Sequence, residues 1–506
     1  MSNMYLNFPY FLILISTLFI QLLPIFFITG PAIPDIVISS ISIIFLFIIF
    51  YKKKFYLFTN YIIYFLLIIF VYLNFNSFFS ENSQASFKYS IGFLRVIIFT
   101  VALFCILQKN TNLIKNFAYC FLVCVIFLFL DSLLQFFTGR NILGYEPQTK
   151  SRMTSFFLDE QIMGSYISRL LALTIGLFYV FNKNKLLIFF LILISGVTVF
   201  LSGERTSLAY FLIILFCYFL IELNIRSIII MISLLFLSLS FIVFNNHAQF
   251  DRIVTHTIKQ SKESKYGLYS YRHQLHYLTA NSMFLDSPLL GQGLGSFRHL
   301  CGEEKFNQSQ KIIKDGSKYA KISGYFFYEK IFNPTYNFSY INIYVVDKKE
   351  KLKAMKQDVK ISKISPYAYT SDTNNIFYFK QGDYVAKNEL LYSYFEYKNG
   401  CNTHPHNIYM QFLAELGILG FGLFSAIFLY VAYRMTSLIR LIVFKKYSNN
   451  LYKAQFFVLL AVFVGMFPLL PSGNYFGNWL LLISYLPFGF YLYIKEINVP
   501  KPGINI

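Results

Sequence analysis

The sequence predicts an all-α polytopic membrane protein with about twelve transmembrane helices and a large loop, between the ninth and tenth, that contains a small β-rich insert. Of the 506 residues, 56% are hydrophobic and only 13% are charged, whereas a soluble protein of this length keeps a charged, wet exterior. The apolar residues form runs of roughly 18–25, long enough to cross a hydrocarbon core about 30 Å thick. Lysine and arginine gather between the runs, as they do in membrane proteins.

Twelve apolar runs are the predicted spans, and the basic residues between them test the count. The runs cover residues 8–29, 33–51, 55–73, 90–108, 114–137, 162–181, 185–202, 206–223, 226–244, 407–433, 454–470 and 476–494. With twelve spans, one side of the membrane receives Lys52, Lys53, Lys54, Lys109, Lys115, Lys183, Lys185, Arg226, Arg434, Arg440, Lys445, Lys446, Lys495 and Lys501. Positively charged short loops stay in the cytoplasm, so this side and both termini are expected there.

The opposite side of the membrane receives the polar loops, which divide the chain into four predicted parts. These are the N-terminal spans, spans with short external loops, the large external loop and the C-terminal spans: residues 1–137, 138–244, 245–406 and 407–506. In the large loop, aromatic and β-branched residues alternate with polar ones over 319–346 and 375–397, which predicts strands. We therefore expect a β-rich insert of about residues 301–401.

The net charge of +20 would suggest nucleic-acid binding in a soluble protein. Here the basic residues lie at span ends and fix orientation, so we expect membrane lipids around the chain and no nucleic-acid partner. Four cysteines lie in apolar runs, whereas Cys301 and Cys401 lie in the polar loop and flank the insert. A disulfide between these two is expected if the loop faces an oxidising compartment. No CxxC or His/Cys zinc spacing appears, so no metal site is expected.

Two of four polar islands contain arginine beside carboxylates. In the first, Arg152 and Asp159 lie in the loop that leads into the sixth span, where the aspartate is equally consistent with a helix N-cap. The second is the tight turn with Glu204 and Arg205, although such a turn needs neither charge. Arg205 either extends towards the membrane surface or clamps a pyrophosphate, because a guanidinium offers bidentate donors and keeps its charge.

The other two islands contain histidines in the large loop. Arg272 and His276 share a face if residues near them are helical, and the glycines of the following Gly291–Gly295 segment suit a tight turn. His404, His406 and Asn407 lie where the chain re-enters the membrane at the tenth span. Histidine exchanges a proton near neutral pH. We therefore interpret His406 as a catalytic or substrate-binding residue, against the alternative of a structural histidine.

These islands together resemble a known superfamily. The pattern HPHNxYxQxLxExGxxG runs from His404 to Gly420. Upstream lie an SGERT turn and a GLGSF segment, and downstream lies PSGNYFGN, residues 471–478. In this order, over residues 139–480, they resemble the O-antigen ligase and O-antigen polymerase superfamily.

The resemblance implies an enzyme of the bacterial inner membrane that acts at the periplasmic face on glycans linked to undecaprenyl pyrophosphate. A sugar hydroxyl attacks the anomeric carbon, and the lipid pyrophosphate leaves. An O-antigen ligase transfers the glycan to lipid A–core, whereas a polymerase transfers it to a second lipid-linked glycan. Neither is expected to need a nucleotide sugar, a metal or another cofactor.

Three residues match the family motif positions, namely Arg205, Arg272 and His406. The resemblance implies that the two arginines bind the pyrophosphate and that His406 is catalytic. Cations offset the charge that develops on the departing group, and a neutral imidazole accepts the proton of the attacking hydroxyl. The expected supporting residues are Glu204, Arg152, Asp159, His404 and Asn407.

Ligase and polymerase remain open, because the motifs are shared and the insert is longer than a minimal ligase loop would need. A lipid-glycan transporter or flippase would place charged residues at mid-membrane depth. The candidates are Arg95, Asp131 and Arg169, although the polar islands concentrate at one interface instead. A third interpretation, an envelope-assembly scaffold, would require the insert alone to be the functional part.

Overall fold

The computed structural model describes residues 10–181, 185–222, 224–263, 270–308, 311–313, 318–333, 338–351, 368–372, 376–377, 379–393, 395–397, 400–445 and 449–498. The chain divides into two compact units. Met1–Phe306 and Cys401–Ile506 form the first, and Asn307–Gly400 forms the second. The predicted cytoplasmic residues Lys183, Lys446 and Lys501 lie outside the described residues.

The first unit is built from helices. Those before the second unit are α1 Tyr10–Gln21, α2 Leu23–Ile28, α3 Ala32–Lys52, α4 Tyr61–Phe78, α5 Ser83–Lys109, α6 Asn112–Thr138, α7 Met163–Phe181, α8 Lys185–Leu201, α9 Arg205–Glu222, α10 Ile225–Asn245, α11 Ala248–Phe250, α12 His256–Glu263, α13 Tyr271–Asp286 and α14 Phe297–Leu300. Those after it are α15 Ile408–Ile439, α16 Asn450–Gly465 and α17 Asn478–Ile497. A π-helical turn, Asp251–Thr255, joins α11 to α12.

Every predicted apolar run overlaps a helix of this unit, although α4 begins six residues after the predicted start of span 55–73 and α16 ends five residues before the predicted end of span 454–470. In the described residues, nine helices are long and apolar enough to cross a membrane: α3, α4, α5, α6, α7, α9, α10, α15 and α17. Shorter apolar helices α1, α8 and α16 occupy the other three predicted runs. Large apolar side chains such as Phe244 (86% exposed) cover the outer surface, as expected against lipid. The all-α polytopic class is confirmed, whereas the count of twelve and the orientation remain predictions.

The central helix pair, α7 and α16, packs closely at a glycine. A Cβ added to Gly176 would lie 2.8 Å from Val458 Cγ2 and 2.9 Å from the Ala454 carbonyl oxygen. Small residues allow helices to approach this closely in a membrane, where packing contacts drive helix association. The pair fixes the start of α7 and the end of α16, which both lead into polar loops described below.

Helix α15 is broken at Gly417, where φ is 63° and ψ is −167°. The Gly291–Gly295 segment fills the break, because Gln292 N–H donates to the Ala414 carbonyl and Gly293 N–H donates to the Glu415 carbonyl, both at 2.9 Å. These bonds satisfy backbone groups that a broken membrane helix would otherwise leave unpaired. A Cβ at Gly291 would lie 2.5 Å from backbone atoms of α15. The glycines of both motifs therefore allow two backbones to cross.

The second unit consists of antiparallel strands. They are β1 Lys311–Ile313, β2 Lys318–Tyr319, β3 Gly324–Asn333, β4 Phe338–Val346, β5 Ala368–Asp372, β6 Ile376–Phe377, β7 Tyr384–Val385, β8 Leu390–Ser393 and β9 Phe395–Tyr397. The largest sheet has the order β5-β4-β3-β7, beside β2-β8-β6 and β1-β9. The apolar core of this unit includes Phe326, Ile343 and Val385. Strands therefore occur in both predicted stretches.

Candidate functional site

The turn between α8 and α9 brings three arginines together. Gly203 has φ +62°, and a Cβ there would lie 2.1 Å from the Ser151 carbonyl oxygen, so only glycine fits. The same added Cβ would lie 3.1 Å from Arg152 Cγ and 3.2 Å from Arg252 Cδ. Arg252 Nε donates to the Gly203 carbonyl at 3.1 Å, and Arg205 is two residues further along the chain. Because Gly203 has no side chain, the aliphatic parts of the Arg152 and Arg252 side chains lie against the turn, close to Arg205.

Glu204 anchors this turn to the start of α7. Its buried carboxylate accepts from Gly164 N–H at 2.6 Å and from Ser165 N–H at 3.2 Å. It also accepts from the hydroxyls of Ser165 at 2.8 Å and Ser207 at 2.9 Å. A carboxylate at this position satisfies unpaired N–H groups and complements the helix dipole. Burial raises the pKa of Glu204, while these hydroxyls and the charge of Arg152 oppose the rise.

The three guanidinium groups form a positive cluster, here called the arginine cluster, of Arg152, Arg205 and Arg252. Burial lowers the pKa of Arg152 to about 10, an effect that Glu204 opposes and the charges of Arg252 and Arg205 reinforce. Arg205 Nη1 donates to Thr257 at 3.1 Å and to Gln260 at 2.8 Å on α12. The hydrogen bonds described for the Glu204 carboxylate go to residues at the starts of α7 and α9 and not to a guanidinium, so the arginines keep donors for an anion.

The second part of the site is a group of four histidines, in which three rings lie around that of His406. The ring centroid of His406 lies 4.3 Å from that of His404, 5.1 Å from His276 and 5.3 Å from His273. His273 and His276 face it from α13. Burial lowers the pKa of His273 to about 4, and the charges of His276 and Arg205 contribute to this. The charge of Arg205 therefore acts on a member of the histidine group. This interaction links the histidine group to the arginine cluster.

His406 is held as a neutral imidazole. Burial lowers its pKa to about 3, with further contributions from His404, His273 and His276. Its Nε2 lies 3.0 Å from Asn402 Nδ2. Its backbone adopts φ +59°, and its carbonyl accepts from Ser472 N–H at 2.9 Å. At neutral pH the ring is thus able to accept a proton, and its left-handed backbone is fixed by the 466–477 segment.

The rest of the HPHN motif ties the same segment to the start of α15. His404 Nε2 lies 3.2 Å from the Ser472 carbonyl, which only accepts, so that nitrogen carries the proton. Thr403 Oγ1 lies 2.9 Å from the other ring nitrogen. Burial lowers the pKa of His404 to about 4. Asn407 caps α15 through Tyr409 N–H at 2.9 Å and Met410 N–H at 3.1 Å and donates to the Pro468 carbonyl at 2.8 Å.

The two remaining predicted residues have few contacts. Arg272 is exposed at the start of α13, and its carbonyl accepts from His276 Nδ1 at 2.7 Å. Its charge helps to lower the pKa of His276, after burial as the main cause. Asp159 is exposed, and the structure gives it no hydrogen bond within the described part of the loop. The expected alternative, in which Asp159 caps the following helix, is not what is observed, because Glu204 binds the N–H groups at the start of α7.

The sequence interpretation missed Arg252, Asn402 and His273 as site residues. Arg252 lies in the π-helical turn after α11, 47 positions beyond Arg205, and no local motif marks it. Asn402 directly follows Cys401, which forms a disulfide with Cys301, with the two Cα atoms 4.9 Å apart. His273 lies one helical turn before His276, so its spacing was the available signal.

The charged residues considered for a transport path have structural partners. Asp131 accepts from Ile142 N–H at 2.8 Å and from the Ser155 hydroxyl at 2.5 Å, which holds the loop that carries Arg152. Arg95 forms an ion pair with Asp35 at 2.7 Å. These contacts explain two of the three charges without a path for a substrate.

Arg169 is the third of those charges and is buried in α7. Its Nη1 lies 3.5 Å from the Gly465 carbonyl at the end of α16, and its guanidinium lies over the Tyr210 ring at 5.2 Å. A cation at a helix C-terminus complements the helix dipole, and the aromatic face adds a cation–π contact. The position therefore stabilises the junction from which the 466–477 segment leaves.

The family model described as O-antigen ligase matches residues 188–325. This match confirms the resemblance to the O-antigen ligase and polymerase superfamily. It covers Arg205, Arg252 and the histidines of α13, while Arg152 and His406 reach the same site from outside it. No curated protein matches the chain. With the apolar helices, the match indicates a multi-pass inner-membrane enzyme with O-antigen ligase- or polymerase-type activity.

Proposed function

We propose that this protein is an O-antigen ligase-like glycosyltransferase that moves a glycan from undecaprenyl pyrophosphate to an acceptor hydroxyl of lipid A–core at the periplasmic face. One observation carries the proposal: three guanidinium groups gather around one carboxylate, Glu204, and the charge of Arg205 acts on the neighbouring group of neutral histidines. A diphosphate leaving group needs the first feature, and a hydroxyl nucleophile needs the second.

The arginine cluster suits the pyrophosphate of the donor. Guanidinium groups bind phosphate oxygens in a bidentate manner and keep their charge. Helix α9 begins at Arg205, and a helix N-terminus adds partial positive charge. The donors are fixed before the reaction by Gly203, Thr257 and Gln260. Preorganised positive charge of this kind stabilises the transition state as negative charge moves onto the leaving group.

His406 suits the acceptor. In the proposed step, its Nε2 accepts the proton of a sugar hydroxyl while the hydroxyl oxygen bonds to the anomeric carbon. The bond from that carbon to the pyrophosphate oxygen breaks, and the electron pair stays on the pyrophosphate, facing the arginines. A single direct displacement inverts the configuration at the anomeric carbon. Arg272, exposed beside His276, is placed to contact either the leaving group or the incoming sugar.

The identity of the acceptor distinguishes a ligase from a polymerase. A ligase uses lipid A–core, and the alternative polymerase uses a second lipid-linked glycan. The transporter alternative is less favoured, because Asp131, Arg95 and Arg169 have structural partners within the described helices. A transporter also has no need for a neutral histidine beside an arginine cluster at one interface.

The test compares surface polysaccharide in cells that carry His406→Ala or Arg205→Ala, with membrane levels of each variant matched. Arg140→Ala and His247→Ala are the controls, because both residues are exposed and lie outside the two clusters. Loss of attached glycan with accumulated lipid-linked polymer supports the ligase. Molecules capped with a single repeat unit indicate the polymerase instead. A wild-type ladder in both test variants refutes the enzymatic proposal.

A further inference from the structure

Asn402 lies between the disulfide and His406, and its amide orientation is fixed by the backbone. Thr403 N–H donates to Asn402 Oδ1 at 2.7 Å. The oxygen of the amide is thereby occupied by a donor, so the opposite end, Nδ2, faces His406 Nε2 at 3.0 Å. Asn402 is exposed, so an incoming acceptor is able to reach this contact from the solvent side.

The amide orientation determines which ring nitrogen of His406 carries the proton. An amide NH₂ group only donates, so His406 Nε2 must accept, and the single proton of the neutral ring lies on Nδ1. Protonation of Nε2 would set two donors against each other. The titratable groups that face His406 are His273 and His276 from α13 and His404 from its own turn. From the 466–477 segment, the contact described is the backbone of Ser472.

We propose that Asn402 is a positioning residue for glycan transfer, which holds the His406 lone pair on Nε2 until an acceptor hydroxyl replaces the amide. This proposal rests on the proposed role of His406 as the base. Without an acceptor, the amide satisfies a half-buried nitrogen that would otherwise lose a hydrogen bond. When the hydroxyl arrives, it donates to the same lone pair, and the reaction then moves that proton onto Nε2.

The disulfide anchors the residue that makes the contact between Asn402 and His406. Cys301 is fully buried, and its Sγ lies 3.6 Å from the Asn402 carbonyl oxygen. Around Cys301 pack Phe297, Leu300, Ala280, Met283 and Ala414 from α14, α13 and α15. Asn402 is therefore attached, through its neighbour Cys401, to the same helices that carry the facing histidines. The separation between amide and imidazole is thus set by packing and not by a free loop.

The test measures the tautomer and titration of His406 in the full-length protein. Histidine labelled with ¹³C and ¹⁵N is incorporated, the protein is studied by NMR in lipid nanodiscs, and His406→Gln assigns the signal. Asn402→Asp keeps the shape but replaces the NH₂ donor with an acceptor. A carboxylate at this distance raises the pKa of His406 by about 1–3 pH units and moves the proton of the neutral ring to Nε2. Asn402→Leu removes the donor and leaves a mixture of tautomers.

Thr403→Val is the matched control, because it is isosteric and removes a hydroxyl from His404, not from His406. It is expected to change the His404 signal and leave the His406 titration as in the wild type. Unchanged His406 titration in Asn402→Asp overturns the proposal. A shifted His406 titration together with undiminished surface glycan in Asn402→Asp cells also overturns the proposal, provided that His406→Ala abolishes the surface glycan.

The experiments distinguish an error in the proposed function from an error in the positioning role of Asn402. If His406→Ala cells keep their surface glycan, then His406 is not the base, whatever its tautomer. If His406→Ala abolishes glycan attachment, Asn402→Asp is expected to reduce it at neutral pH, because the neutral ring then carries its proton on Nε2. In vesicle assays the acid limb of the pH–activity profile should move upward by the same amount, about 1–3 pH units. That shift reports the protonation of His406, and a merely structural role of Asn402 would not produce it.

Discussion

The His273 ring on α13 lies 5.3 Å from the His406 ring that precedes α15, although 133 positions of sequence, including the whole second unit, separate them. This contact joins the segment matched by the family model to the HPHN motif beyond it. The charge of Arg205 also acts on His273. His273 is therefore the common neighbour of the arginine that faces the proposed leaving group and the histidine that faces the proposed nucleophile.

Arg252 is expected to contribute to donor binding as strongly as Arg205. Arg252→Ala removes one guanidinium from the arginine cluster and the bond to the Gly203 carbonyl, so glycan transfer should fall by about tenfold or more. Arg252→Lys should recover only part of it, because lysine keeps the charge but lacks the planar fork. The measurement is the amount of surface polysaccharide at matched protein level.

Arg140→Ala serves as the control for Arg252, because Arg140 is exposed and its described ion pair is with Glu146. Its loss should leave transfer unchanged. Transfer at the wild-type level in Arg252→Ala would show that this guanidinium only supports the turn and takes no part in binding.

Gly203→Ala is expected to disrupt the arginine turn. Alanine at φ +62° costs about 1–2 kcal/mol for the left-handed backbone, and its Cβ would also clash with the Ser151 carbonyl oxygen at 2.1 Å. Gly144 also has a positive φ, +85°, but open space around it. Gly203→Ala should therefore lower the thermal unfolding midpoint and the activity more than Gly144→Ala does. Equal effects would mean that backbone strain alone, without the clash, governs this turn.

The helices could be predicted from the sequence because hydrophobic length is a local property. Each apolar run between charged segments became a helix, and the fold class followed. The HPHN motif was equally visible, since its histidines and asparagine lie within four positions. These features depend on residues close together in the chain, which a single sequence displays directly.

The roles of Glu204 and Arg252 could not be predicted in the same way. Glu204 binds the start of α7, 40 positions earlier, and Arg252 reaches Gly203 from 49 positions later. Neither contact leaves a periodic pattern, because each depends on how distant helices pack. The orientation of Asn402 depends likewise on one backbone N–H group, which no sequence motif describes.

Stability is expected to fall in mildly acidic solution because several histidines are buried as neutral rings. The pKa values of His273 and His404 are lowered to about 4 and that of His406 to about 3, against an ordinary value of about 6.5. Between pH 6.5 and pH 4 the unfolded chain binds these protons and the folded chain does not, so the free energy of unfolding decreases as the pH falls. The thermal midpoint of the purified protein should drop across this range.

Replacing two of these histidines tests the origin of that decrease. The double variant His273→Gln, His404→Gln should show a flatter dependence of the midpoint on pH than the wild type, even if it is less stable at pH 7. His247→Gln, at an exposed position, should leave the dependence unchanged. An identical slope in the double variant would assign the acid sensitivity to other groups.

The Cys301–Cys401 disulfide is expected to support the proposed site. It spans 100 positions, and closing a loop of this length stabilises the folded chain by about 4–5 kcal/mol in the chain-entropy description. Cys301→Ser with Cys401→Ser should lower the thermal midpoint and reduce transfer, because Asn402 loses its anchor beside His406. In the wild type, a maleimide reagent should label these two positions only after reduction, whereas Cys105, Cys124 and Cys217 are buried free thiols that need unfolding to react. Labelling of Cys401 without reductant, or full transfer by the double serine variant, would show that the site does not depend on this bond.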